Sequence, residues 1–149
     1  MGNEYLLRYH EFYVGRIALL KKQVIDLKAR LSHEEFITHE VVKIAARIRD
    51  ADQNVIPQNP DLPEYKLHAE LRKYRRYKRG LQRYRLMFCF SNEPRLIVYL
   101  YINDEKHLRK AGDKNDPYEE FKKIVKRHQF SHDPRDPNLQ KWIQSFSWN

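Results

Sequence analysis

The apolar residues fall into two different rhythms along the chain. Residues 5–9 suit a short first strand. Leu20, Val24, Leu27 and Leu31 then recur at three- and four-residue intervals, which predicts an amphipathic helix over residues 11–31. Ser32-His33-Glu34-Glu35 has the form of a capping box, with the Ser32 hydroxyl covering free amides and Glu35 reaching back. Ile37, Val41, Ile44 and Ile48 repeat the helical offsets. Two apolar stripes joined through a cap predict an antiparallel helical hairpin packed on another layer.

Pro57, Pro60 and Pro63 predict an extended connector over residues 56–64, since proline lacks the donor a helix needs. After it the period drops to two. Arg83, Arg85, Met87 and Cys89 alternate with Tyr84, Leu86, Phe88 and Phe90, a turn follows at residues 91–94, and residues 95–102 are again β-rich, so the pair reads as a hairpin. Residues 72–79 fit either period. A strand from about Tyr74 is favoured, because the hairpin otherwise lacks a partner. A loop covers residues 103–115, and Asp116 caps a helix with Pro117 in its first turn and Tyr118, Phe121, Ile124 and Val125 on one face. Residues 132–138 are expected to be irregular, with a last amphipathic turn at Leu139, Trp142, Ile143 and Phe146. The order β-α-α-β-β-β-α describes one small α+β domain over residues 1–149, with an antiparallel sheet carrying helices on one face and residues 128–149 as an extension.

Composition narrows the function. Hydrophobic residues at 41% and charged residues at 33% belong to a folded chain, and no apolar run approaches the roughly 18 residues of a membrane span. The first residues show no secretory signal, so a cytoplasmic location without membrane contact is expected. The single cysteine, Cys89, excludes an internal disulfide and is expected to be a small buried hydrophobe. The charge is more telling. Of a net +9 over 149 residues, the window from Lys66 to Arg85 carries +8, with nine basic residues against Glu70 alone. Tyr74, Tyr77 and Tyr84 interleave with these cations. A focused basic strip with aromatics suits a polyanion with stackable bases, which is to say nucleic acid; a merely solvated charged face is the competing explanation.

The strand period suggests what such a strip can do. Arg76 and Lys78 are two apart, as are Arg83 and Arg85, so if the strands pair, four cations meet on one face. Cations aimed at a developing dianion, plus a group that moves a proton, are what RNA cleavage without a metal requires. Crowding of that kind also makes Lys78 easier to deprotonate. Asn103, Asp104 and Glu105 either assist proton transfer, orient the arginines, or simply form a turn. Tyr118 lies on an apolar helix face, where a core role competes with a functional one. His107 with His128 is an alternative acid–base pair, and His128 with His132 an incomplete metal-ligand pair.

The segments RYKRGLQRYRLMFCF, LIVYLYINDEKHLR and DPYEEFKKIVKR, with VIPQNPDLPEY ahead of them, resemble the YhaV toxins of the RelE superfamily. The resemblance covers about residues 55–127. It implies a RelE-like fold and a toxin that cleaves mRNA, on the ribosome in many members, without metal or other cofactor. A co-encoded antitoxin, AbrB-like and of the PrlF type, would hold it off. In such enzymes the ribose 2′-hydroxyl attacks the adjacent phosphate, arginines stabilise the phosphorane, and the products are a 2′,3′-cyclic phosphate and a 5′-hydroxyl. By this resemblance Arg76, Lys78, Arg85, Tyr118 and Arg109 form the catalytic group, with Lys106 an alternative to Arg109 as the basic residue after the last strand. Arg72, Lys73, Arg75, Arg79, Arg83, Tyr84 and Lys106 are then expected to contact RNA. Arg76 stands where RelE itself has a lysine, and a guanidinium stays protonated, so Lys78 is the better base. Two other functions remain open at this point: a toxin of the same fold that inhibits a topoisomerase, and an RNA- or ribosome-binding protein without turnover. The first has no need of cations that converge beside Tyr118, and the second is separated by incubating a short RNA with EDTA and analysing its ends.

Overall fold

Strand β1 (Leu6–His10) passes directly into helix α1 (Glu11–Arg30), and His10 makes that junction. Its Nδ1 accepts from the Phe12 amide at 3.0 Å, which leaves Nε2–H to donate to the Gln129 carbonyl at 2.9 Å. Burial lowers the His10 pKa, in keeping with a neutral ring. The computed structural model describes residues 4–127 and 129–149. Along α1, Leu20 and Leu27 of the expected stripe are buried and Val24 half-buried, and the buried line extends back through Ile17 and Tyr13, which the stripe did not include. The capping box is present, with Ser32 Oγ accepting from Glu35 N at 3.2 Å and Glu35 Oε1 from Ser32 N at 3.1 Å.

The second helix is broken in two, α2 (His33–Thr38) and α3 (Glu40–Asp50). His39 is the break, since its Nδ1 accepts from Val41 N at 3.1 Å and starts the chain afresh. The connector also departs from expectation. Helical turns continue through Ala51–Val55 and Ile56–Gln58, and another turn forms at Pro63–Tyr65. Pro57 and Pro63 sit in first turns, where a missing N–H costs nothing.

Five strands form the sheet, in the order β2-β3-β4-β1-β5, where β2 is Arg75–Tyr77, β3 Leu86–Asn92, β4 Arg95–Ile102 and β5 Ile143–Gln144. The hairpin and its third strand are antiparallel as expected, but β1 runs parallel to β4. The sheet is therefore mostly, and not wholly, antiparallel. Helices also lie on both faces rather than one. Tyr13, Ile17, Ile44 and Ile48 pack with Leu86, Phe88, Ile97 and Tyr99, whereas Phe121 and Ile124 of α4 (Pro117–Lys126) pack with Met87, Cys89, Val98 and Leu100. Strands buried on both faces lose the polar alternation of a solvated sheet. A bulge opposite Met87 and Phe88 places Leu100 and Tyr101 on the same α4 side.

The C-terminal segment is more ordered than a loose tail. A short helix, α5 (Pro137–Gln140), precedes β5, which adds to the edge of β1. Phe146 then packs on Tyr9 at 4.7 Å, and Trp148 Nε1 donates to both oxygens of the buried Asp52 at 2.9 and 3.0 Å.

Candidate active site

Tyr77 turns into the core shared with α1 and α3, so its neighbour Arg76 faces α4. There Arg76 Nη1 donates to Tyr118 Oη at 3.1 Å, and Nη2 donates to the Glu64 carbonyl at 2.8 Å. A second guanidinium reaches the same side chain, with Arg109 Cζ 5.0 Å from the Tyr118 ring centroid. Asp116 places both. Its Oδ2 accepts from Tyr118 N at 3.0 Å and caps α4, while Oδ1 accepts from Arg109 Nη1 at 2.6 Å and from Lys110 N at 2.7 Å. One buried carboxylate thus starts the helix that carries Tyr118 and holds the arginine over its ring.

The expected quartet of cations does not assemble. The register pairs Arg76 with Met87 and Tyr77 with Leu86, so a longer ladder would set Lys78 against Arg85. The ladder ends there. Gly80 and Gln82 both take positive φ, 71° and 57°, and turn the chain out of the sheet. Arg47 Nη1 fixes that turn by donating to the Gly80 carbonyl at 2.9 Å. Lys78 is left exposed beyond the strand, so the crowding expected around it does not arise. Arg85 folds back on its own turn, its Nη1 donating to the Gln82 and Tyr84 carbonyls at 2.7 Å each. Arg83 Nε donates to the Arg109 carbonyl at 3.1 Å, and Arg109 N to the Arg83 carbonyl at 2.9 Å. These two bonds join the arginine turn to the loop that carries Arg109.

Asn103 joins the same pieces from beneath. Its Oδ1 accepts from Arg85 N at 2.7 Å, and its Nδ2 donates to the Arg83 and His107 carbonyls at 3.2 and 2.8 Å. Asp104 and Glu105 point elsewhere, Asp104 to His107 and Glu105 to Gln23. Tyr84 is half-buried at the rim of the core formed with α1, away from Tyr118.

The basic strip divides according to what holds each charge. Arg75 is paired with Asp61 at 3.2 Å and Arg79 with Glu64, both carboxylates supplied by the proline-rich connector. Arg109 is paired with Asp116. Arg76, Arg83 and Arg85 meet only neutral oxygens among the described residues, and Arg72, Lys73, Lys78 and Lys106 are exposed without an ion pair among them. A carbonyl or phenol orients a guanidinium without neutralising it.

Two polar clusters went unrecognised in the sequence. Arg16 Nη1 and Nη2 donate to Glu120 Oε1 and Oε2 at 3.2 and 2.7 Å, Tyr101 Oη donates to Glu120 Oε1 at 2.5 Å, and His107 lies between Asp104 at 2.7 Å and Glu120 at 3.3 Å. Burial would raise the Asp104 carboxyl, but His107, Arg16 and the Lys106 amide outweigh it and lower it. The available signal was an arginine inside the apolar stripe of α1, between Phe12 and Leu20. The second cluster centres on Asp52, fully buried with donors from Tyr13 at 2.5 Å, Gln53 at 3.0 Å and Trp148. Burial pushes its carboxyl up to about 6. No periodicity marks that position.

Burial pushes the Cys89 thiol up, consistent with a core residue. His128, named above in both histidine pairs, lies outside the described residues. Among the described residues no group of three or more His, Cys, Asp and Glu side chains is placed to hold a metal ion, and no helix is long and apolar enough to cross a membrane.

A small α+β protein that directs one uncompensated arginine, Arg76, and one carboxylate-held arginine, Arg109, at a phenol beside a sheet edge has the features of a site that handles anions. The family model for the YhaV toxins, described as toxins with endonuclease activity of toxin–antitoxin systems, matches residues 7–141, and the chain belongs to that family. It is 30% identical over 139 residues to the ribonuclease toxin YhaV of Escherichia coli strain K12, covering 90% of this chain and 88% of that one. Toxin YhaV of Escherichia coli O157:H7 gives the same identity and coverage. No solved structure matches. The chain is thus an endonuclease toxin, and its system implies an antitoxin partner.

Proposed function

We propose that the chain is an endoribonuclease that cuts mRNA at the Tyr118 centre. The observation that carries this reading is the approach of Arg76 and Arg109 to one phenol, with Arg76 lacking a carboxylate partner among the described residues. The ribose 2′-hydroxyl attacks the adjacent phosphorus, and the P–O5′ bond breaks. Arg76 stabilises the charge gathering on the non-bridging oxygens, Arg109, its Nη1 held by Asp116, offers them its remaining donors, and Tyr118 orients Arg76 and presents a ring to a neighbouring base. Arg85 and Arg83, through the turn that Asn103 ties to the Arg109 loop, supply further positive potential. Lys78, exposed two residues beyond Arg76, is the side chain assigned to the 2′-hydroxyl proton, which it takes in its neutral amine form without help from neighbouring cations, since a guanidinium stays protonated. The leaving 5′-oxygen takes a proton from water, and the proton held on Lys78 returns to solvent. The products are a 2′,3′-cyclic phosphate and a 5′-hydroxyl.

By the resemblance of residues 55–127 noted above, the helix–sheet arrangement is assigned to the RelE type, with action in the cytoplasm and on ribosome-bound message. The antitoxin is assigned to the AbrB-like, PrlF type. It would set an acidic segment against Arg72, Lys73 and Arg76, where charge is left open. Incubating purified protein with a short RNA in EDTA and analysing the ends tests the chemistry. Cyclic phosphate termini are expected; intact RNA after long incubation, with and without added ribosomes, would sink the proposal.

A further inference from the structure

The start of β2 borders a second basic feature, at the opposite end of the strand from Lys78. An open groove of about 540 Å³ is lined there by Arg72, Lys73 and Arg75, by Phe90 at the end of β3, and by His132 of the C-terminal segment; of the two carboxylates that also line it, Asp133 is paired with Arg135 at 3.0 Å and Glu93 belongs to the turn after β3. That segment is held in place by the core. Tyr74 Oη donates to the Phe130 carbonyl at 2.7 Å, and the Tyr74 and His132 rings meet edge-on at 6.2 Å. Arg72 and Lys73 are exposed and form no ion pair among the described residues. Arg75, its charge paired with Asp61, lies over the half-buried Phe90 ring at 5.4 Å and gives the groove a flat guanidinium and aromatic floor.

We propose that this groove holds single-stranded RNA flanking the bond to be cut, and that the C-terminal extension supplies one of its walls. The proposal rests on the RNA-cleaving function argued above. Open cations suit phosphates, and a guanidinium layered on a ring suits an unpaired base, a combination that binds single strands with little sequence preference. Leu71, which lines a hollow together with Tyr118, is followed directly by Arg72 and Lys73 of the groove, and Lys73 is three residues, at most about 10 Å of chain, from Arg76.

The test compares RNA lengths. Binding of an unstructured RNA of about 20 nucleotides and of a tetranucleotide is followed by fluorescence anisotropy across salt concentrations. For Arg72→Ala/Lys73→Ala, two lost phosphate contacts weaken the long RNA by about tenfold and flatten its log K against log salt slope by about 1.4, with a much smaller loss on the tetranucleotide. His132→Ala weakens the long RNA by about threefold. Should the double variant melt below wild type, Lys73→Glu alone, at an exposed turn, is expected to show the same length-dependent loss. Equal losses at both lengths, or unchanged binding of the long RNA, would overturn the groove. Wild-type protein that binds long RNA through these residues yet leaves it uncut would uphold the groove and refute the cleavage.

Discussion

Arg76 and Arg16 are both partly enclosed arginines directed at α4, and they are held in opposite ways. Arg16 is met by the paired oxygens of Glu120 and by Asp104 at 3.7 Å, with His107 and Tyr101 completing the cluster. Arg76 is met by a phenol and a carbonyl. A carboxylate cancels the cation it orients; a neutral acceptor leaves the field intact. The first arrangement fastens α1, α4 and the loop after β4 together. The second keeps a positive charge in a defined place for an incoming phosphate.

This contrast predicts different losses. Arg76→Ala should lower the cleavage rate by at least about 100-fold, as expected for a donor that stabilises transition-state charge. Its denaturation midpoint should stay close to wild type. Arg16→Ala should do the reverse, leaving Glu120 and Asp104 without their cation and costing roughly 3 kcal/mol of stability in chemical denaturation. A variant at Arg16 that keeps full stability, or one at Arg76 that unfolds, would erase the distinction.

Asp52 extends the comparison to a carboxylate with no cation in hydrogen-bonding contact among the described residues. Its folded pKa is raised to about 6 from 3.8. The folded state therefore favours the protonated form. The stability this group contributes is full below about pH 3.8 and fades as pH rises through about 6, a change of about 3 kcal/mol. Between pH 5 and pH 7.5 the unfolding free energy of the wild type should fall by about 1.4 kcal/mol from this group, the part of the change that lies in that window, and Asp52→Asn should remove that portion. The smallest effect belongs to the arginine turn. Gln82 holds φ +57°, where glycine carries no steric penalty, so Gln82→Gly should raise stability by about 1 kcal/mol. The Arg85 contact to its carbonyl is made by backbone and should survive.

Local signals were read correctly where the cause was local. The stripe of α1, the Ser32 capping box, the Asp116 cap and the β3–β4 alternation each follow from a few neighbouring residues. The basic strip likewise announced a polyanion, and the strand at Arg75–Tyr77 formed where the hairpin needed a partner. The convergence of Arg76, Lys78, Arg83 and Arg85 did not, because it required β2 to run past Tyr77. Period two tells which side chains share a face but not where pairing stops, and Gly80, Gln82 and the contact from Arg47 decided that. The break at His39 was hidden because an apolar period can run across a cap.

The sequence by itself determined the elements, the sign and place of the charge, and the membership of a toxin family, since propensity, periodicity and motif act over short spans of chain. Only the tertiary structure decided which cations are neutralised and which stay open. Asp61 and Glu64 reach Arg75 and Arg79, Glu120 takes Arg16, and Tyr118 takes Arg76, across 14 to 104 residues. Electrostatic pairing depends on separation in space, and separation along the chain carries no record of it.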